Sequence, residues 1–424
     1  MRAGTLAVAL VLTALRVRAQ AADDASAELL MQQSAGTSRN PQSVPMEMLG
    51  TMRGPWMLML HGVAFVNHVN ESGRRGGSKT FSTNWIMGMA SRPLDGGTLM
   101  LRSMLSLEPA TIGGRKYPEL FQTGETAYGK QLIDAQHPHD FFMELAAEYA
   151  HAVGRAVAYV YLAPVGDPAV GPVAFPHRAS AMEMPQAVIS HHYQDSTHIS
   201  FDVVTAGVVL GPATVEASAF HGGEPNENRW SINGGPPDSW AARFRLQPVR
   251  DLDMQISQAH LTKPERLEPG YQNRTTASIS YSVPFRRGEW DSTAAYGRVY
   301  KEAHGQYLKS GLAETSGNFL DRHHLTARAE VDDKDELFPH PLLARVPHPP
   351  IPARVFRVYA YTAGYTFDVL RAPVRTGIGA NVSWYRFPPI LNGFYGQSPH
   401  SAYVYLRFRL DAGHRMDHRM EMPM

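Results

Sequence analysis

What most constrains this chain is a double alternation. Sixteen stretches in which apolar and polar residues alternate follow one another from Trp56 to Leu410, and the links between them are by turns very short and long. The last stretch shows the period: Ala402, Val404, Leu406, Phe408 and Leu410 are interleaved with Tyr403, Tyr405, Arg407 and Arg409. Successive side chains on a strand face opposite sides, so one face is apolar and the other polar. Residues 239–247 repeat the pattern, with Trp240, Ala242, Phe244 and Leu246 set against Arg243, Arg245 and Gln247. In residues 251–257, Leu252, Met254 and Ile256 oppose Asp251, Asp253, Gln255 and Ser257. A soluble strand whose outer face meets water also alternates, so the period alone leaves a periplasmic β-sandwich or propeller open.

The links decide between them. Strands are expected near 56–69, 80–92, 97–109, 141–153, 156–165, 197–208, 211–221, 238–247, 251–260, 273–285, 288–301, 306–317, 321–332, 355–369, 372–387 and 399–410. Pro93 to Gly96, Gly154 with its neighbour, Gly211 with its neighbours, and the pair Arg286 and Arg287 are hairpin-length links built from turn residues. The intervening links run through 110–140, 166–196, 222–237, 261–272, 333–354 and 388–398 and are rich in Gly, Pro, His and acids. Outer-membrane barrels sort their links in this way, with short turns on the periplasmic side, long loops outside and an even strand count. A sandwich has no reason to. The expected fold is all-β: a transmembrane antiparallel β-barrel of about sixteen strands (roughly 14–18) over residues 55–410, with its long loops at one end.

The ends of the chain agree with export. Arg2, an apolar run from Ala3 to Leu15 and the small-residue site Ala19-Gln20-Ala21 read as a signal peptide over residues 1–21. That run is too short to span a bilayer as a helix, and only helices or closed barrels satisfy every backbone group in lipid. The expected location is the outer membrane, with lipid around the barrel and the barrel-assembly machinery engaging the C-terminal strand. Residues 22–54 are rich in small polar side chains and are expected to be a periplasmic tail or a plug segment. The absence of cysteine removes disulfides, thiolate metal sites and thiol nucleophiles. With 40 basic against 39 acidic residues, the charge gives no case for nucleic acid. The oligomeric state is left open.

Histidine and methionine, 19 of each, carry the chemistry. His137-Pro138-His139-Asp140 offers two imidazoles and a carboxylate to one divalent ion, a donor set suited to zinc or copper. His191 and His192, with Asp195, Ser196, Thr197 and His198, form a second group, and His221-Gly222-Gly223-Glu224-Pro225-Asn226-Glu227 a third. All three fall at the long-loop end, where they can converge over the mouth or can simply hold the loops together by hydrogen bonds. Ser196, His198 and Asp195 are also the residue types of a hydrolytic triad, although sequence neighbours rarely form one, and no catalytic residue is assigned. The end of the chain, 411–424, is expected to be a periplasmic tail. Its soft and borderline donors are His414, Met416, His418, Met420, Met422 and Met424, a set that fits copper. No cofactor beyond a copper or zinc ion is expected.

Polar positions on the inward face would line the lumen: Arg102, Glu144, Glu148, Glu216, Arg243, Arg245, Asp251, Asp253, Arg328, Glu330, Arg357, Arg407 and Arg409. Such a ring of opposite charges tunes ion preference in a wide pore, and about sixteen strands leave room for water unless loops 110–140 and 166–196 fold inward.

Several runs resemble an uncharacterised family of bacterial outer-membrane β-barrels of porin-like form. They include Phe81-Ser82-Thr83-Asn84-Trp85-Ile86-Met87-Gly88-Met89-Ala90, His137-Pro138-His139-Asp140, Phe175-Pro176-His177-Arg178-Ala179-Ser180 and Asp195-Ser196-Thr197-His198-Ile199. The resemblance spans nearly the whole mature chain and implies an exported barrel. Met416-Asp417-His418 is similar to the repeats of outer-membrane copper-resistance proteins of the B type, without their long N-terminal Met/His block. The expected function is porin-like passage of a small solute linked to copper or zinc handling. The alternatives are a non-transporting metal-binding or scaffold barrel and an outer-membrane hydrolase.

Overall fold

The computed structural model describes residues 25–45, 47–339 and 355–410. Two short strands, β1 (Gln33–Ala35) and β2 (Ser38–Arg39), precede β3 (Leu49–Arg53), β4 (Trp56–Glu71), β5 (Ser78–Leu94) and β6 (Gly97–Leu105). A hairpin of β7 (Tyr117–Ala127) and β8 (Lys130–Gln136) follows, then β9 (Phe142–Val153), β10 (Ala156–Gly166), β11 (Ser200–Leu210), β12 (Ala213–His221), β13 (Ser239–Val249) and β14 (Leu252–Leu261). The last are β15 (Gln272–Phe285), β16 (Gly288–Lys301), β17 (Gln306–Phe319), β18 (His323–Lys334), β19 (Phe356–Leu370), β20 (Val374–Arg386) and β21 (His400–Leu410).

β4 to β6 and β9 to β21 form one closed antiparallel barrel of sixteen strands, sealed where β21 pairs with β4 and Arg407 lies opposite Phe65. β3 pairs with Trp56 to Leu60 of β4, below the stretch that pairs with β21. Each expected strand coincides with one of the sixteen within a few residues. No helix among the described residues is long and apolar enough to cross a membrane.

The wall inverts the soluble rule. On β13, Ser239, Ala241, Arg243 and Arg245 are buried inside while Trp240 and Phe244 stand exposed outside. Leu101, Val160, Val208, Ile256, Ile279 and Leu406 continue that outer apolar surface around the barrel. Trp240, Tyr307, Tyr359 and Trp384 lie exposed toward the long-loop end, and Tyr281, Phe285 and Trp290 toward the short-turn end. Aromatic side chains flanking an apolar band are what a bilayer's two interfaces favour. The short turns follow their chemistry: between β5 and β6, Asp95 and Gly96 both take positive φ (45° and 75°), the backbone that a two-residue hairpin matched to strand twist requires.

Three local differences from the sequence reading have physical causes. The β7–β8 hairpin escaped detection because Phe121 and Glu125 sit at positive φ and the register slips, so its residues keep no clean period. Ser196–His198 form a turn of 3-10 helix, so the strand expected from 197 starts only at Ser200. Asp251 lies in the turn before β14, half-buried, outside the lumen row begun by Asp253.

Inserted segments occupy much of the interior. Residues 25–45, with 47 and 48, enter from the short-turn end, with Leu29, Leu30, Ala35, Ser38 and Arg39 buried inside the wall. The link between β10 and β11, residues 167–199, folds inward and is almost wholly buried. The two meet at Gly36, whose φ is +50° and where a Cβ would stand 2.3 Å from the Asp167 carbonyl oxygen. Only glycine fits there.

Candidate functional site: a closed lumen and its histidine centre

The wall charges pair with each other and with the inserted segments. Arg102 donates to Glu148 at 2.9 Å and lies 3.5 Å from Glu144. Arg243 donates to Glu216 at 2.7 Å, to the Gly171 carbonyl at 3.3 Å and to Thr37 Oγ1 at 2.9 Å, joining wall, loop and N-terminal segment through one guanidinium. Arg245 reaches Asp253 at 3.3 Å and the Arg39 carbonyl at 2.8 Å. Arg407 pairs with Glu183 of the loop and Asp368, and Arg409 with Glu183 and Glu47. Arg328 donates to Glu314 at 2.9 Å, while Glu330 accepts from the Ile189 amide at 2.7 Å. Arg357 is the exception, since it lies at the outer rim, more than half exposed, against Asp333.

These side chains are dry. Arg243 and Arg407 are 0% exposed and Arg102 1%. A residue lining a water-filled pore would be wet, so the lumen at these positions holds protein and not solvent.

Loop 167–199 is stapled across the barrel from its own base. Arg178, 1% exposed, donates to Glu314 at 2.5 Å, to the Val173 carbonyl and to Asp195 at 3.0 Å each. Burial would raise the Asp195 pKa, but His191 and Arg178 outweigh it and hold the carboxyl down at about 2. Tyr405 donates to the Glu183 carbonyl at 2.9 Å, and Asn381 to the Gln186 side chain at 2.9 Å.

Over this plug the loop histidines come together. His137 and His192 are 6.1 Å apart between ring centres, His192 and His191 5.3 Å, His191 and His198 5.2 Å, and His198 and His139 5.4 Å. Acceptors hold their Nδ1 atoms: Glu108 at 3.0 Å for His139, the Asp195 carboxylate at 2.6 Å for His191, and the Asp195 carbonyl at 2.9 Å for His198. His137 lies between Glu125 at 2.9 Å and the Pro138 carbonyl at 3.0 Å. The Nε2 atoms of His139, His192 and His198 are buried and have no hydrogen-bond partner. Burial, reinforced by His191, pushes His192 and His198 well below the usual histidine range. Burial also outweighs Glu125 to lower His137, whereas at His139 the Glu108 carboxylate overcomes burial and raises it. Asp140 is raised by burial to about 7 although Arg229 donates to it at 3.1 Å.

Imidazoles whose Nδ1 is tied to a carboxylate or carbonyl present a fixed Nε2, the arrangement that metal-ligating histidines use. The nitrogens do not yet converge. Among the described residues, the His, Asp and Glu trios whose donor atoms all lie within 4.8 Å are Glu268, His304 and Asp335, and Glu265, Glu268 and Glu336. Both lie at the outer mouth, where Lys301 already occupies the acidic ring, 2.9 Å from Glu268 and 3.3 Å from Glu265 and Asp335.

The third group stays apart: His221 contacts Asp238 and the Pro236 carbonyl, and Glu227 accepts from the Tyr128 and Gly129 amides. The tail donors His414, Met416, His418, Met420, Met422 and Met424 lie outside the described residues, as does the signal segment. The hydrolytic arrangement is not assembled. Asp195 gives His198 only its carbonyl, Ser196 Oγ accepts from Arg274 at 2.7 Å, and His198 Nε2 has no partner. Glu108, Arg178 and Arg229 hold the rings and carboxylates of the centre, yet nothing in the sequence sets these three charges apart from the others.

No family model matches the chain, and no curated protein matches it in sequence. Solved structures do match. An anion-selective porin from Comamonas acidovorans is 10% identical with a TM-score of 0.52, over 84% of this chain and all of that one. OprB of Pseudomonas putida is 9% identical with a TM-score of 0.54, over 84% of this chain and 94% of that one. The fold is that of a porin. The tail's likeness to copper-resistance proteins gains nothing from these matches.

Proposed function

We propose that this chain is an outer-membrane channel for a small solute, closed at rest by residues 25–45 and loop 167–199. The observation that carries the reading is the dryness of Arg102, Arg243 and Arg407 inside a closed sixteen-strand barrel. A permanently open pore has no use for wall charges spent on a plug. Lipid covers the apolar outer band, and the signal peptide and the assembly machinery deliver the chain there. Planar-bilayer recording tests the closure. The native chain is expected to stay silent for most of the record. Gly36→Val, which cannot adopt the junction with Asp167, is expected to raise the open fraction by about tenfold, a shift of roughly 1.4 kcal/mol. Steady porin-sized current in the native chain, unchanged by the substitution, would overturn the closed-at-rest reading.

A second reading, a barrel that binds copper or zinc through its loops, is favoured by the carboxylate-held rings of His139 and His191 and the free Nε2 atoms of His139 and His198. It requires ring rotations to bring three nitrogens around one ion. Zinc titration of the native chain against His139→Ala tests it, and equal affinity would remove it.

A further inference from the structure

We propose that the inner wall beside this plug carries a site for a soft monovalent metal ion of the Cu(I) and Ag(I) class, with His61 Nε2 and the Sδ atoms of Met87 and Met104 as ligands. The site uses none of the loop histidines named above and stands whether or not the barrel conducts.

The strand register builds it. His61 on β4 is paired with Met87 on β5, and Met87 in turn with Met104 on β6, so the three occupy one row across adjacent strands. Directly opposed side chains in such a row point the same way with Cβ atoms about 4.5–5.5 Å apart. This row faces inward, with Met87 0% and Met104 1% exposed. His61 Nε2 already lies 3.2 Å from Met87 Sδ. Donors that each sit about 2.0–2.3 Å from one ion are compatible with that separation.

Two further features mark the place as more than packing. Trp85 stands edge-on to His61 at 5.2 Å and to His177 at 4.5 Å. His177 is 5% exposed, and both of its ring nitrogens lack a hydrogen-bond partner. Unpaired buried polar atoms are uncommon and call for an explanation. His61, Trp85 and His177 line one cavity of about 120 Å³ that also reaches Met48 and Met89, so the His61 side of the site opens onto a space with further soft donors.

The donor chemistry sets the ion. Thioethers are neutral and soft and select Cu(I) over hard divalent ions, and imidazole serves the same ion. Arg102 on the neighbouring row is paired with Glu144 and Glu148, which offsets part of the positive charge that the wall places near His61. Methionine also fills gaps in ordinary cores, but filling a gap needs neither an imidazole nitrogen on the sulfur nor a dry, unpaired histidine across the cavity.

The test titrates Ag(I), a redox-inert stand-in for Cu(I), into the purified full-length chain carrying ¹³C-labelled methionine methyls. The signals of Met87 and Met104 are expected to move together with the first equivalent. Met87→Leu and Met104→Leu conserve volume. Each is expected to weaken that binding by about tenfold or more, since even loss of an outer-shell partner typically has such an effect. Movement confined to tail methionines, or unchanged affinity in both variants, would mean that these residues only pack and would overturn the site. Should a variant fail to insert, the titration of the native chain still decides.

Discussion

At the scale of single residues, closure rests on a few buried charges that are tolerable only in pairs. Glu216→Ala would leave Arg243 dry and without its carboxylate partner, a change that costs about 3–5 kcal/mol, whereas adding Arg243→Met in the same chain should recover much of the loss. Urea unfolding in lipid measures both. Equal stability of the single and double variants would show that the pair is not desolvated as described. Asp195 gives the plug a pH dependence. Its pKa is held near 2 against an ordinary 3.8, so its contribution is complete above about pH 4 and is lost as the pH falls through 2. Pepsin is expected to cut within residues 167–199 only as the pH drops through that window. Asp195→Asn is expected to abolish that pH step, and the same step in the variant would assign it to another group.

At the scale of elements, the strands were legible because the bilayer and the lumen impose opposite demands on alternate residues for about ten residues at a time. Trp240 and Arg243 could be sorted by period alone. The same rule predicts the outcome of charging the outer face: Ile256→Arg near mid-strand should cost about 2–4 kcal/mol in lipid, and Val249→Arg at a strand end about 0–1. Similar losses at both would contradict a membrane band centred on Ile256. The loops were legible only in composition. The sequence groups of His137 and His191 pointed to one end of the barrel, and their rings do meet. That Glu108 would hold His139, and Arg178 would cross to Glu314, depends on a loop path that no period encodes. His61 and Met87 escaped for a different reason. They are 26 residues apart and each reads as an ordinary strand residue until the register sets them side by side.

At the scale of the molecule, a porin fold has been turned into a filled cylinder, with charges on the wall paired to charged and polar groups of the N-terminal segment and loop 167–199 in both directions, as Arg243 with Thr37 and Arg178 with Glu314. On the proposed reading, passage depends on whether that filling leaves. The natural absence of cysteine allows a direct measurement, the reaction of a single introduced thiol with a membrane-impermeant methanethiosulfonate reagent. Thr276 faces the lumen from β15 and is 0% exposed, whereas Asn228 lies exposed in an outer loop. With a closed lumen, Thr276→Cys should stay protected in the native membrane while Asn228→Cys reacts fully, and Gly36→Val should expose the thiol at position 276. Labelling of Thr276→Cys as fast as Asn228→Cys in the otherwise native chain would contradict the closed state.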